Sequence, residues 1–379
     1  MNYLKSPEKA IMLSVMLLMA TGLIFIYSVS GPYSQLKELS PWHYFLRQLF
    51  WAALAIIVLF ICSRVNYRKI LKLSPLFMLV SLVCLIWVLF APSQQNVHRW
   101  LTIGFVRFQP SEAFKISLFM YLAYTIVDVK NKPKELKKLW PHLVVFSIGV
   151  LLVIKQPDLG TTMLLFSSAV ILMFLIGLKL RYLLAAGLAV MIIGGTMVFG
   201  LGYEKDRIVD YAASLKDPLN TPDGSPPSRG FYQNRQSLIS VGSGGLFGRG
   251  LGGGGQKNLF LPAPHTDFIF SASAEEGGFL LCTFVLGLLL IFSMGTLKIA
   301  NSSNDLRGYL LAAGLGIMIT LQAVINIGVA LGLLPITGIT LPFFSYGGSS
   351  LVISCAAVGL ILSVARHDKK PLLKHVRVQ

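Results

Sequence analysis

Ten apolar segments, separated by short polar links, restrict this chain to a fold that is surrounded by lipid. The segments run approximately over residues 11–30, 48–63, 75–91, 113–127, 141–154, 160–178, 182–201, 268–297, 308–331 and 346–365. A helix of about 20 apolar residues crosses a bilayer. Only 13% of the residues are charged, whereas a soluble domain has about 25%. The sequence therefore predicts an all-α, polytopic integral membrane protein with about ten transmembrane helices in a single domain over residues 1–379.

Lysine and arginine residues indicate how these helices are oriented. The net charge is +17, and the basic residues concentrate in the even-numbered loops and in a tail over about residues 366–379. Short loops that are rich in Lys and Arg remain on the cytoplasmic side of a membrane. We therefore predict that both termini are cytoplasmic and that a long loop, over about residues 202–267, lies outside. Because topology explains the positive charge, we predict no nucleic-acid partner.

The residue types that usually bind metals do not form a recognisable ligand set. All four cysteines, Cys62, Cys84, Cys282 and Cys355, lie within apolar segments. They are expected to act as small hydrophobic side chains rather than as disulfide partners or metal ligands. His265 has no second His or Cys at ligand spacing, so a hydrogen-bonding or orienting role is favoured for it. The sequence predicts no metal site from these residues.

Asp267 stands where the long outer loop enters the eighth apolar segment, two residues after His265. A carboxylate at a membrane boundary is costly unless it is paired or used. Partial loss of water would raise its pKa above about 3.9 and make it a better base near neutral pH. Asp also suits a helix N-cap, and the two roles are compatible. Further along the segment, Glu275 and Glu276 are candidates for a proton relay, or Glu276 for pairing with a basic residue on another span.

The connection between the third and fourth segments carries Trp100, Arg107, Ser111, Glu112 and Lys115. Residues three apart share a helix face, so Glu112 and Lys115 are expected to meet at the start of the fourth span. One interpretation is local neutralisation of this pair, with Ser111 at the N-cap. The other is that Arg107 and Lys115 form a cationic pocket for a phosphate, which the planar donor fork of arginine suits.

Two further segments break the helical pattern on the outer side. The glycine cluster over residues 242–255 satisfies G-x-G-x-x-G twice, but it lacks the strand–helix context of a dinucleotide site and the Gly-Lys-Ser/Thr of a P-loop. A flexible loop whose backbone approaches a ligand fits it better. Residues 335–350 interrupt the ninth-to-tenth span region. They are expected to pack helices closely through small residues or to line a cavity, and both can hold together.

Several of these strings together resemble the SEDS family of cell shape, elongation, division and sporulation proteins, which includes FtsW and RodA. The resemblance covers nearly the whole chain and rests on Arg99-Trp100, Phe108-Gln109-Pro110-Ser111-Glu112, Gln156-Pro157-Asp158-Leu159-Gly160, His265-Thr266-Asp267-Phe268-Ile269-Phe270 with Glu275-Glu276, and Leu341-Pro342 with Ser345-Tyr346-Gly347-Gly348-Ser349-Ser350. Gly250-Leu251-Gly252, Gln256-Lys257 and Phe260-Leu261-Pro262 look more like FtsW than RodA.

This resemblance implies a peptidoglycan glycosyltransferase that polymerises lipid II outside the bacterial cytoplasmic membrane, with inversion at the donor anomeric carbon. Asp267 matches the acid that is thought to act as general base. Arg107 and Lys115 match basic residues that engage pyrophosphate, and Trp100 and Glu112 match motif positions. The implied partners are lipid II, a class B penicillin-binding protein, other division proteins and membrane lipid. No cofactor is specified, and a divalent cation stays open.

Two other functions compete with polymerisation. A lipid II flippase would need polar groups at several depths in the spans, yet Arg107, Lys115, Asp158 and Asp267 are expected near the outer edge. Glu275 and Glu276 are the deepest exceptions. A non-catalytic scaffold for division proteins would not require an acid at Asp267, and a RodA-like polymerase of cell elongation is the alternative within the family.

Overall fold

The computed structural model describes residues 6–91, 98–103, 106–130, 140–175, 177, 205–217, 227–255, 260–262 and 264–368. In chain order its elements are α1 (Pro7–Leu36), α2 (His43–Arg64), α3 (Tyr67–Lys72), α4 (Ser74–Leu89), β1 (Leu101–Ile103), β2 (Val106–Phe108), α5 (Pro110–Lys130), α6 (Trp140–Lys155), α7 (Leu159–Leu175), α8 (Lys205–Lys216), α9 (Arg229–Ser243), α10 (Ile269–Ser302), α11 (Leu306–Ala330) and α12 (Gly348–His367). The strands form one antiparallel hairpin in which Thr102 lies opposite Arg107.

The helices confirm the predicted all-α membrane fold. Helices α1, α2, α10, α11 and α12 are each long and apolar enough to cross a membrane, and α4, α6 and α7 are shorter apolar helices. The boundaries of the predicted segments agree with these helices to within several residues. The predicted seventh segment, residues 182–201, lies outside the described residues, as do the link 131–139 and the tail from residue 369.

Helix α11 forms the centre of the bundle and packs against α5, α7, α10 and α12. Its window of highest hydropathy is 72% buried, the largest share among the five long apolar helices. Glycines permit this close packing. A Cβ at Gly314 would lie 2.9 Å from the ring of Phe119, and one at Gly316 would lie 2.8 Å from Thr296, so neither position has room for a larger side chain. Lipid gives apolar helices no hydrophobic reason to associate, so close packing of this kind holds them together.

The two ends of the bundle carry different residues. At one end Arg68 pairs with Asp305 at 3.2 Å and with Asp368 at 3.0 Å, and Tyr67 donates a hydrogen bond to Asp305 at 3.0 Å. These four residues come from chain regions that the basic residues assign to the cytoplasm. Asp267 and the segments around it lie at the opposite end, as the predicted topology requires.

Helix α10 is broken at Gly278, whose φ of 67° and ψ of −167° lie in a region that is essentially restricted to glycine. The glycine cluster docks against the break. The amides of Arg249 and Gly250 donate to the carbonyls of Glu275 and Glu276, each at 3.0 Å, and the amide of Phe279 donates to the carbonyl of Gly245 at 2.9 Å. The cluster thus places its backbone against a helix and satisfies the groups that the break frees.

The break separates the two glutamates from the longer part of α10. From Phe279 to Ser302 the helix is about 36 Å long, which is enough to cross the hydrocarbon core by itself. Glu275 and Glu276 therefore precede a stretch of α10 that is long enough to cross the bilayer by itself. Arg249 supplies a basic partner from the outer loop, and it pairs with Glu275 at 3.2 Å. Ser28 donates to Glu276 at 2.6 Å.

Replacing Gly278 with alanine should destabilise the protein by about 2–4 kcal/mol, since the φ is unfavourable for alanine and the added Cβ would meet backbone. That Cβ would lie 2.3 Å from the amide nitrogen of Gly248. Thermal unfolding in detergent, followed by size-exclusion chromatography, measures the change. Gly287→Ala is the matched control on the same helix, because nothing lies within 4 Å of its Cβ. Equal behaviour of the two variants would contradict the account of the break.

Candidate active site

The chain around Asp267 is held by three consecutive backbone carbonyls. The carbonyl of residue 265 accepts from the amide of Tyr346 at 2.9 Å, that of residue 266 from the hydroxyl of Ser345 at 2.8 Å, and that of residue 267 from Nδ2 of Asn326 at 2.8 Å. Irregular backbone at the edge of a membrane needs such partners. The segment that carries the acid is therefore fixed to α11 and to the interrupted region before α12.

That interrupted region is itself buried and hydrogen-bonded. Leu341, Phe343 and Phe344 are at most 3% exposed, and the hydroxyl of Ser345 accepts from the amide of Leu341 at 2.7 Å. Gln48 of α2 binds the segment on its other side, donating to the carbonyl of Ser345 at 3.2 Å. The region is thus a buried support beside the site, which agrees with the predicted behaviour of broken backbone.

Asp267 is a partly buried residue in a charged environment. Burial raises its pKa to about 6 against the opposing charge of Arg99, with smaller effects from Asp158, which raises it, and Arg207, which lowers it. A group with this pKa is largely ionised at neutral pH and is a stronger base than an ordinary aspartate. Helix α10 begins at Ile269 with Phe268 at its N-cap. Asp267 is therefore not the N-cap, and that alternative is wrong.

Arg99 and Asp158 are positioned by the turn between α6 and α7. Arg99 donates to the carbonyl of Gln156 at 2.8 Å. Asp158 accepts from the amide of Thr161 at 3.1 Å and from its hydroxyl at 2.9 Å, so it caps α7. A Cβ at Gly338 would lie 3.9 Å from Asp267 Oδ2 and 4.0 Å from Arg99 Nη1. The glycine therefore lies close to both charged groups and leaves the space beside them open.

Lys115 lies inside the bundle. Its ammonium group, in a residue that is 2% exposed, donates to Glu112 Oε1 at 2.8 Å and to Gln322 Oε1 at 2.9 Å. Gln322 in turn donates to the carbonyl of Thr340 at 3.0 Å. The predicted Glu112–Lys115 pair is confirmed. Its contacts join α5 to α11 and to the interrupted region.

Arg107 occupies a different place. It is exposed on β2, whereas Lys115 makes its hydrogen bonds within the bundle, so a pocket formed jointly by the two stays a prediction. The predicted N-cap at Ser111 is wrong, since α5 already begins at Pro110. Trp100, directly before β1, is 37% exposed.

His265 is enclosed by aromatic rings. Its ring centroid lies 4.9 Å from that of Tyr33, 4.8 Å from that of Tyr44 and 5.5 Å from that of Tyr346. Burial, with a smaller effect from the charge of Lys37, lowers the pKa of His265 to about 4. The imidazole is therefore neutral at physiological pH. Within the described part of the chain its Nδ1 is buried without a hydrogen-bond partner.

Cationic side chains surround the tyrosines at the outer surface. The charges of Arg47 and Arg107 both act on the hydroxyl of Tyr346, where they oppose the increase in pKa that burial causes. Lys37 lies 4.6 Å from the centroid of the Tyr33 ring. The outer ends of α1 and α2, the hairpin and the segment before α12 thus converge on one positively charged surface next to the acid.

The described residues at this site form no all-protein cage for a divalent cation. Among the described residues no group of three His, Cys, Asp or Glu side chains could hold a metal ion. Oδ2 of Asp158 is bonded to Thr161 and Gln109, and Asp267 lies in the field of two arginines. We assign no step to a metal.

Sequence reasoning selected Asp267, His265, Arg107, Trp100, Glu112 and Lys115, and it missed Arg99, Asp158, Arg207 and Asn326 as site residues. Arg99 and Asp158 do belong to the strings that carry the family resemblance, which was the available signal. Arg207 and Asn326 belong to none of these strings.

The fold and the site define a polytopic membrane protein with an acid and a cationic surface at the outer ends of its helices. A family model for FtsW, RodA and SpoVE, described as a cell cycle protein, matches residues 8–370. The chain belongs to this family.

Curated relatives and solved structures agree with this membership. Stage V sporulation protein E of Bacillus subtilis strain 168 is 35% identical over 96% of this chain and 98% of its own length. The probable peptidoglycan glycosyltransferase FtsW of Aliivibrio salmonicida is 36% identical over 92% of this chain and 86% of its own. A chain of a peptidoglycan synthase complex superposes with a TM-score of 0.75 at 26% identity, covering 95% of this chain and 98% of that chain. The rod shape determining protein RodA of Thermus thermophilus superposes with a TM-score of 0.67 at 26% identity, and the match covers 95% of this chain and 97% of that chain.

Replacing Lys115 with methionine should destabilise the protein by about 3–5 kcal/mol, because it leaves the Glu112 carboxylate buried without its cation. The double variant Glu112→Gln, Lys115→Met should recover more than half of the loss. Thermal unfolding in detergent measures both. Lys69→Met, at an exposed position on α3, is the control and should change stability by less than about 0.5 kcal/mol. A single variant as stable as this control would contradict the importance of the buried pair.

Proposed function

We propose that this protein is a peptidoglycan glycosyltransferase that polymerises lipid II at the outer face of the cytoplasmic membrane. The observation that carries the proposal is Asp267, a carboxylate with its pKa raised to about 6 beside Arg99 and Arg207. Relatives that cover nearly the whole chain are named as probable glycosyltransferases of this class. The acid lies at the end of the bundle where a lipid-linked sugar outside the membrane would be accessible.

Asp267 acts as the general base in this proposal. Its carboxylate accepts the proton of the acceptor sugar hydroxyl while that oxygen forms a bond to the anomeric carbon of the donor. The bond between this carbon and the pyrophosphate oxygen breaks on the opposite face, so the configuration inverts and the electron pair leaves with undecaprenyl pyrophosphate. A positioned base of this kind contributes about 10²–10⁴-fold to the rate.

The cationic side chains bind the pyrophosphate in this mechanism. Arg107 is exposed beside the site, and arginine binds phosphate through two parallel hydrogen bonds. Negative charge grows on the leaving group in the transition state, so fixed positive charges lower the barrier. Trp100 and His265 border the sugar-binding region in this proposal. Lys115 and Glu112 support this region from inside the bundle, because Lys115 donates to Gln322 and Gln322 donates to the carbonyl of Thr340.

We assign the protein to cell division, with a class B penicillin-binding protein and other division proteins as partners. Several of the relatives are named FtsW, at 31–36% identity. A superposed chain comes from a complex that coordinates polymerization and crosslinking. Depletion of the native protein, followed by complementation, tests the role, because loss of a division enzyme gives filaments and loss of an elongation enzyme gives rounded cells.

Asp267→Asn should lower glycan polymerisation by about 10²–10⁴-fold, because the amide cannot accept the proton. The assay uses purified lipid II in liposomes with the cognate penicillin-binding protein, whose transpeptidase is inactivated beforehand. Asp206→Asn is the matched control, since Asp206 is an exposed acid at the start of α8, and it should retain activity. If both variants polymerise equally, Asp267 is not the base. If wild type moves lipid II across the bilayer without joining sugars, the flippase replaces this proposal.

The polymerisation rate of the wild-type protein should fall as the pH decreases through about 6. Asp267 acts in its ionised form, and burial holds its pKa at about 6, so protonation removes the base below that pH. The rate is measured from pH 5 to 8 under saturating substrate. A rate that stays constant down to pH 5 would contradict the assignment, because a base with this pKa must then be at least nine-tenths protonated.

A further inference from the structure

Asn326 of α11 makes two hydrogen bonds through a single side-chain nitrogen. Its Nδ2 donates to the carbonyl of Asp267 at 2.8 Å and to the carbonyl of Ile339 at 2.7 Å. The residue is 1% exposed. It therefore joins the backbone of the acid to the interrupted region before α12 through a buried side chain.

Helix α11 provides a rigid base for this connection. One turn earlier on the same face, Gln322 binds the next carbonyl, that of Thr340, at 3.0 Å, and also accepts from Lys115. Two carboxamides at positions i and i+4 thus bind the consecutive carbonyls of residues 339 and 340. Asn326 is the member of this pair that also reaches the acid.

We propose that Asn326 is a positioning residue that fixes Asp267 for proton transfer, an inference that rests on the function proposed above. Asn326 reaches the acid through the backbone carbonyl, so it acts through Asp267 and does not itself take up the proton. A shift of about 1 Å at a reacting group costs about 10²-fold in rate. A side chain that fixes the carbonyl on the acid's own residue limits this shift.

The nature of the side chain matters, because only a group with two N–H bonds on one atom bridges two carbonyls in this way. Leucine has a similar volume but donates nothing, and it leaves the carbonyls of Asp267 and Ile339 without this donor. Serine donates one hydrogen bond and can satisfy one of them. The structure therefore predicts the order asparagine, serine, leucine for the catalytic rate.

The pKa of Asp267 indicates whether the two hydrogen bonds of Asn326 are intact. The titratable and charged groups that act on it are Arg99 before β1, Asp158 between α6 and α7, and Arg207 on α8. None of these is changed in the Asn326 variants. If the segment relaxes outward, the carboxylate regains water, burial raises its pKa less, and the acidic limb of the rate profile moves below pH 6.

The experiment compares wild type, Asn326→Leu and Asn326→Ser in the liposome polymerisation assay from pH 5 to 8. Asn326→Leu should lower kcat about 10- to 100-fold, change KM for lipid II by less than about threefold, and shift the acidic limb to lower pH. The kcat of Asn326→Ser should lie between those of wild type and Asn326→Leu. Thr320→Val is the control, since Thr320 on the same helix makes an interhelical hydrogen bond to Ser293 at 2.8 Å, away from the acid. Its kcat, KM and pH profile should match those of wild type.

Three results would overturn the proposal. They are an unchanged kcat in Asn326→Leu, a rise in KM without a fall in kcat, and a fall in kcat with the acidic limb unmoved, which is the pattern of general structural damage. If Asn326→Leu does not fold, Asn326→Ser provides the same three readouts, with a smaller expected loss.

Hydrogen exchange separates this proposal from the proposed function. The peptide over residues 264–270 should exchange faster in the Asn326 variants than in wild type or Thr320→Val, whether or not the preparation polymerises lipid II. Unchanged exchange overturns the positioning role even if Asp267→Asn is inactive. If exchange is faster in the Asn326 variants but Asp267→Asn still polymerises lipid II, the connection between Asn326 and the segment around Asp267 stands. Only the assignment of Asp267 as the base is then rejected.

Discussion

Backbone hydrogen bonds that cannot be left unpaired at the edge of a bilayer determine how this structure is built. Three irregular segments meet there: the chain before α10, the interrupted region before α12, and the glycine cluster. Each is satisfied from a helix, through Asn326 and Gln322 of α11, Gln48 of α2 and the broken turn of α10. Because water cannot supply these bonds in the membrane, the protein must do so. The irregular backbone is consequently as fixed as the helices around it.

This requirement also places the acid. Asp267 lies on a segment with three consecutive bonded carbonyls, and the residue is only partly buried. The protein around the carboxylate raises its pKa to about 6, while Arg99 and Arg207 limit the shift. A higher value would leave the group protonated at neutral pH, and a lower value would make it a weaker base. The environment therefore matches the task proposed for it.

Charged side chains are buried in this structure where they are paired, and other cationic side chains lie at the surface. The Glu112–Lys115 pair is buried and neutral as a unit, which is how the interior tolerates it. Arg47, Arg107 and Lys37 remain at the surface, where a diffusing lipid-linked anion can meet them. Glu275 and Glu276 precede the break in α10, where Arg249 and Ser28 bind them. This arrangement favours chemistry at the outer surface over transport across the membrane.

The sequence by itself determined the class of fold, and it predicted the orientation and the role of Asp267. Apolar length and basic loops are local properties, and an acid at a membrane boundary is recognisable wherever it occurs. Only the tertiary structure decided that Lys115 is buried while Arg107 is exposed, that α10 breaks at Gly278, and that Arg249 rather than a span residue pairs with Glu275. It alone revealed Asn326, whose bond to Asp267 joins positions 59 residues apart. Contacts at such separations depend on how helices pack, and packing leaves no periodic signal in the sequence of either partner.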